Sequence, residues 1–189
     1  MKKFKTLSIT VIIISALLTS CSSQSQTDTA VEATTTDSAD KGYRYWGYFQ
    51  AAPGENQWTP AMTGPSVKMA DGAVEGWAFT FSGGAVPDAS APTSKPDFNS
   101  ICSGTNSIAG KKRVGVFIDF GASALAPDGE TPPNPISTCV LADEKAVGAD
   151  VLSLAVKEIK SDKGMVCGIS GYPKNECGVE IPTPAQLKK

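Results

Sequence analysis

Lys111-Lys112-Arg113-Val114-Gly115-Val116-Phe117-Ile118-Asp119-Phe120 carries the strongest strand signal in the chain. From Val114 on it is almost continuously apolar and rich in β-branched and aromatic residues, the pattern of a central strand covered on both faces. Such a strand needs neighbours. Upstream, Tyr43-Arg44-Tyr45-Trp46-Gly47-Tyr48-Phe49-Gln50 reads as a second strand, with Tyr43, Tyr45 and Phe49 on one face and Arg44, Trp46 and Tyr48 on the other. Pro53-Gly54-Glu55-Asn56 marks a turn, and Trp58 to Met62 begins a short strand. Ala70-Asp71-Gly72 is a hairpin signal before Val74 to Phe81, where Trp77, Phe79 and Phe81 alternate with small residues. These pieces predict a meander.

Residues 82–96 and 121–136 are broken by Gly and Pro and read as loops. Val147, Val151, Leu154, Ala155 and Ile159 then recur at helical spacing, with Lys157 and Lys160 in the last turns and Gly164 as the stop. Met165 to Tyr172 reads as a last strand, and residues 181–189 as a frayed tail. The expected fold is α+β: a small mixed or antiparallel sheet with one main helix packed on it. It occupies a single globular domain, residues 42–180.

Residues 1–20 have the order of an export signal: Lys2, Lys3 and Lys5, an apolar run from Ile9 to Leu18, then Leu18-Thr19-Ser20-Cys21. The apolar run is about half of what a bilayer span requires. Leu, two small residues and Cys resemble the bacterial lipobox, which implies that Cys21 is acylated and becomes the mature N-terminus. Removing the leader takes away three Lys and no acid, leaving 14 bases against 19 acids. Residues 21–41 follow as a Ser/Thr-rich tether whose acids are Asp28, Glu32, Asp37 and Asp40, too polar to fold by itself. The expected location is the outer face of the cytoplasmic membrane, with a lipid anchor.

The chain has no His, which removes Ser-His-Asp triads, Cys-His dyads and His-ligated zinc from consideration. The domain shows no basic stripe, so nucleic acid is not an expected partner. Cys102, Cys139, Cys167 and Cys177 are even in number in a chain read as exported, which points to two disulfides. Three pairings are open. The Gly- and Pro-containing turn between Cys167 and Cys177 favours their bridge, leaving Cys102 with Cys139. No two of the four lie two to four residues apart, the spacing that a zinc site of thiolates favours.

Tyr45-Trp46-Gly47-Tyr48, Thr63-Gly64-Pro65, Val74-Glu75-Gly76-Trp77, Ile118-Asp119-Phe120-Gly121, Gly129-Glu130-Thr131-Pro132-Pro133 and Cys167-Gly168-Ile169-Ser170-Gly171-Tyr172-Pro173 together resemble an uncharacterised family of small exported proteins of high-GC Gram-positive bacteria. The resemblance covers residues 43–178 and implies a link to energy-coupling-factor vitamin transporters, whose genes tend to lie beside those of the family. A weaker similarity joins Gly148-Ala149-Asp150-Val151-Leu152 and Ile169-Ser170-Gly171-Tyr172 to the helix and following strand of transcobalamin-like domains. The Tyr45 to Tyr48 and Val74 to Trp77 strands are similar to their later elements. The two halves occur in swapped order, which implies a circular permutation and, by analogy only, a corrinoid-type ligand.

All three Trp and three of the four Tyr fall between Tyr43 and Trp77. With one helix to cover two aromatic faces, Trp46, Tyr48, Trp58 and Trp77 are expected to form a partly exposed platform for a planar or ring ligand, with Arg44, Glu75 and Asp119 at its polar rim. The expected function is that of a non-catalytic ligand-binding or transport-accessory module, without cofactor or metal, whose partner is a transporter or envelope protein. A structural or protein-interaction lipoprotein is the alternative. A glycan-active enzyme working through two carboxylates such as Glu75 and Asp119 stands behind both. Asp128 and Glu130 do not reproduce an EF-hand spacing.

Overall fold

A computed structural model describes residues 41–188, so the export signal, Cys21 and the tether up to residue 40 lie outside the described residues. The central strand is β4, Lys111–Asp119, and Val114, Val116 and Ile118 on it have no exposed surface. It lies between β3, Val74–Gly83, to which it is parallel, and β5, Ile136–Asp143, to which it is antiparallel. β1, Lys41–Ala51, pairs antiparallel with β3 on its other side. Two short strands complete the six-stranded mixed sheet by pairing with β1: β2, Thr59–Pro60, and β8, Val179–Pro182.

The register sorts the side chains. Arg44 lies opposite Phe81, Trp46 opposite Phe79, Tyr48 opposite Trp77, and Trp77 opposite Ile118. With Val114 opposite Val140, these residues share one face, and Val151, Leu152, Ile169 and Tyr172 pack against it to form the main core. The first pair of covering residues comes from the helix α2, Gly148–Ala155. Ile169 ends β7, Met165–Ile169, which forms a separate hairpin with β6, Ile159–Asp162.

Among the described residues the opposite face has no long helix, yet it too is covered. Parallel neighbours such as β3 and β4 require a crossover connection, and residues 84–110 supply it as a long loop holding only one short helix, α1, Phe98–Ile101. Ser90 N donates to Thr80 Oγ1 at 2.8 Å, and the Cys102–Cys139 disulfide joins the end of α1 to β5. A Cβ on Gly115 would lie 3.3 Å from Ile101, which shows how closely α1 approaches β4. Both faces are therefore apolar, as the continuous β4 pattern requires.

Five local readings are corrected. The segment before β3 makes no meander, because β2 and β3 pair with opposite sides of β1. Asp71-Gly72 turns the chain there, but Asp71 accepts from Arg113 N at 2.7 Å instead of closing a hairpin. The helical pattern ends at Ala155: Ile159 is on β6, Leu154 is 57% exposed, and Lys163 and Gly164 form a left-handed two-residue turn at φ 48° and 86°. On β6 the Ile159 side chain packs against the main core. Residues 181–189 are not wholly a tail, since Ile181 lies opposite Gly42 and Thr183 is buried. Finally, β5 is a strand in a region the sequence pattern left without an element.

Candidate functional site

Glu75 is the most unusual residue in the sheet. β3 is buried along almost its whole length, and parity places the Glu75 carboxylate on the core face beside Trp77 and Tyr48, fully removed from solvent. Trp77 Nε1 donates to Oε1 at 2.7 Å and the Tyr48 hydroxyl donates to Oε2 at 3.2 Å. Gln50 Nε2 in turn donates to the Tyr48 oxygen at 2.8 Å. Burial pushes the Glu75 carboxyl up to about 8, against the opposing pull of the Trp77 and Tyr48 hydrogen bonds and the Lys112 charge. Burial also raises the Tyr48 phenol far above its ordinary range, so it stays a neutral donor.

Lys112 shares the parity of Val114, Val116 and Ile118, and its ammonium is accordingly buried. It donates to Met69 O at 2.7 Å and Ala146 O at 2.6 Å, holding the segments before β3 and before α2 together. Burial, and then the neighbouring Lys68 charge, lower its pKa. Gly148 begins α2 directly over this network, where a Cβ would collide with the Tyr48 hydroxyl and come within 3.0 Å of Glu75 Oε2. Only glycine lets the helix start so close.

Outside the network a cleft of about 390 Å³ opens between Pro65, α2 and the β6–β7 hairpin. Trp77 contributes to its floor, Leu152, Ile159 and Val166 to its apolar walls, and Ser153 and Ser161 provide hydroxyls. Among the described residues no charged side chain lines it.

Of the remaining predicted rim, Asp119 is on the other face and Arg44 shares the core face with Glu75. Asp119 accepts from Thr93 N at 2.8 Å, Thr93 Oγ1 at 2.6 Å and Gly121 N at 2.9 Å, which ties the crossover loop to the end of β4. Trp58 lies against Gly76, whose hypothetical Cβ would be 2.7 Å from the indole ring, and its Nε1 donates to Ser94 O at 2.7 Å. Arg44 grips Glu176 through two guanidinium nitrogens and donates to Ala126 O at 3.2 Å.

The family model for the SCO2322-like domain matches residues 38–182, which include every strand of the sheet. The chain belongs to this family. No curated protein and no solved structure matches it.

Within this SCO2322-like domain the four rings do not make one surface platform. Trp46, Tyr48 and Trp77 are 6%, 8% and 1% exposed on the core face, while half-buried Trp58 is on the opposite face. The expectation of exposed rings assumed that one helix was the only cover; instead α2 together with Ile169 and Tyr172 buries Trp46, Tyr48 and Trp77 on the core face, and the 84–110 loop covers the other. Arg44, Glu75 and Asp119 are likewise buried or half-buried and do not form one rim: Arg44 and Glu75 share a face with different partners, and Asp119 is on the other. Both disulfides pair as expected, Cys102 with Cys139 and Cys167 with Cys177. Lys112 was legible from strand parity alone. Gln50, Tyr172 and Glu176 were not, because their roles arise from segments distant in sequence. Among the described residues no group of three or more His, Cys, Asp or Glu is gathered to hold a metal ion.

Proposed function

We propose that this protein is a lipid-anchored surface protein, exported through residues 1–20 and acylated at Cys21, whose domain is a non-catalytic ligand-binding or accessory module for energy-coupling-factor vitamin uptake. The carrying observation is the cleft under α2, whose aliphatic walls of Ile159 and Val166 and two serine hydroxyls make the mixture that suits a mostly apolar ring ligand, with the buried Trp77 ring behind them. The two disulfides are in keeping with an oxidising compartment. The permuted transcobalamin-like resemblance favours the same ligand class by analogy. A tethered module raises the local ligand concentration at a transporter without any reacting group.

The test is a titration of corrinoids, other vitamins and envelope glycans followed by tryptophan fluorescence. Ala149→Phe, on the exposed first turn of α2 and facing the cleft, should weaken binding at least about tenfold while leaving the melting temperature unchanged. The alternative, a structural or protein-interaction lipoprotein, draws on the burial of Trp46, Tyr48 and Trp77. It takes precedence if no candidate ligand alters the fluorescence and a transporter or envelope protein copurifies in mild detergent.

A further inference from the structure

β5 forms one edge of the six-stranded sheet, and its outer side is unpaired. Gly115 N donates to Ala73 O at 3.0 Å and Gly72 N donates to Arg113 O at 3.0 Å, so the odd-numbered residues of β4 turn their backbone groups toward β3. The even-numbered ones bond to β5, at Ala142, Val140, Thr138 and Ile136. The backbone N–H and C=O groups of Ser137, Cys139 and Leu141 therefore point away from the sheet, and no hydrogen bond reaches them from any of the described residues.

The other edges are blunted. On the far side of the sheet β2 has two residues and ends on Pro60, while β8 has four, ends on Pro182 and carries Glu180 paired to Lys41. In the separate hairpin, β6 carries Lys160 and a register shift directly after it. Short length, proline, charge and irregular register are the devices that keep strand edges from pairing with other chains. β5 runs for eight residues in unbroken register without proline or lysine, and its one charge is Asp143 at the last position. Such an edge is a template for a further strand.

The chemistry of the edge selects that strand. The chain's own tether carries four acids and no base before Lys41, while the only charge on β5 is itself acidic, so the tether is a poor fit. A second copy of β5 fits better. In an antiparallel pair about a two-fold axis at Val140, outward-facing residues meet outward-facing residues: Cys139 lies opposite Leu141, and Ser137 opposite Asp143. Val140 then pairs with its own copy, Thr138 with Ala142, and each Asp143 meets a hydroxyl rather than another acid. Leu154, 57% exposed, borders one cavity with Asp143, so the two-fold sets an exposed apolar side chain beside each end of the seam.

We propose that two copies of this chain join through their β5 strands, merging their sheets into one. The seam is a single strand pair, smaller than a standard interface of about 1,600 Å², so the dimer has modest affinity and depends on concentration. It stands apart from the ligand reading, since no residue of β5 lines the cleft under α2.

The experiment is residue-resolved amide hydrogen exchange on the full chain in mild detergent at low and high protein concentration, with sedimentation velocity alongside. The Cys139 and Leu141 amides should gain protection as concentration rises, in step with the appearance of a dimer. Ser137 is exposed, and Ser137→Pro deletes an outward donor that the chain's own ladder does not use, so it should weaken the dimer without unfolding the domain. Charge tests the register. Ser137→Asp sets an acid against the partner's Asp143 at both ends and should weaken the dimer about fivefold, whereas Ser137→Lys should strengthen it by a similar factor. The proposal is overturned if the two amides stay unprotected at high concentration, the result expected when a different protein is the occupant. It is equally overturned by protection independent of concentration, which deletion of residues 22–40 would trace to the tether, or by a dimer that Ser137→Pro and Ser137→Asp leave unchanged.

Discussion

Glu75 and Asp119 stand on neighbouring parallel strands but face opposite sides of the sheet. The register pairs Glu75 with Val116 and Ala78 with Asp119, an odd offset that sends one carboxylate into the main core and the other under the crossover loop. This pair cannot flank a common substrate, so the two-carboxylate arrangement expected of a glycosidase is not formed by it. Each acid has a separate structural role, and those roles can be measured.

Glu75 makes stability depend on pH. Its folded pKa is raised to about 8, above the ordinary value of 4.5. The folded state therefore binds its proton more tightly than the unfolded chain. The stability it contributes is fully present below about pH 4.5 and is lost as pH rises through about 8. Chemical denaturation should show unfolding free energy falling between pH 5 and 8 by on the order of 4 kcal/mol from this group. Glu75→Gln, which keeps the shape and stays neutral, should flatten the curve. An unchanged slope in that variant would mean that another group is responsible.

Asp119 secures the crossover loop. Asp119→Ala removes the acceptor of Thr93 N, Thr93 Oγ1 and Gly121 N together. A loss of roughly 2–4 kcal/mol is expected, with faster hydrogen exchange concentrated in residues 90–95.

Gly76 is a packing position for Trp58. Gly76→Ala places a methyl group 2.7 Å from the indole ring and should shift Trp58 outward. The expected result is a red-shifted tryptophan emission and a destabilisation of about 1–3 kcal/mol. If emission is unchanged, the ring does not rest on this strand in solution.

The two bridges should be separable. Non-reducing peptide mapping should recover Cys102 linked to Cys139 and Cys167 linked to Cys177. Replacing Cys167 and Cys177 by Ser should cost about 2–4 kcal/mol. It should also free the loop that carries Glu176, seen as loss of protection near Arg44. Free thiols at all four positions would contradict the pairing.

Anchoring is tested at Cys21. Cys21→Ala should release the protein to the medium or leave an uncleaved precursor, assayed by membrane fractionation. Membrane retention with an intact cleavage product would end the lipoprotein reading.

Local chemistry and tertiary context divide the determination of this structure between them. The apolar run from Val114 to Ile118 determined a central strand covered on both faces, because a half-exposed strand does not carry apolar residues at both parities. Four cysteines and a Gly- and Pro-containing turn were enough to favour the observed bridges. Parity alone put Arg44, Trp46 and Tyr48 on one face of their strand, and the register with β3 set Trp77 and Glu75 beside them. What the sequence could not decide was which faces water reaches. That depended on the 84–110 crossover, a loop without periodicity whose covering role follows only from the parallel pairing of β3 and β4. The same holds for the short helix: Ile159 fits a helical stripe, but pairing with β7 decided its conformation. Arg44 and Glu176 meet for a similar reason. Hydrophobic periodicity reports the burial of one element at a time, whereas a polar cluster forms between elements, at positions set by the sheet register and a disulfide-closed loop.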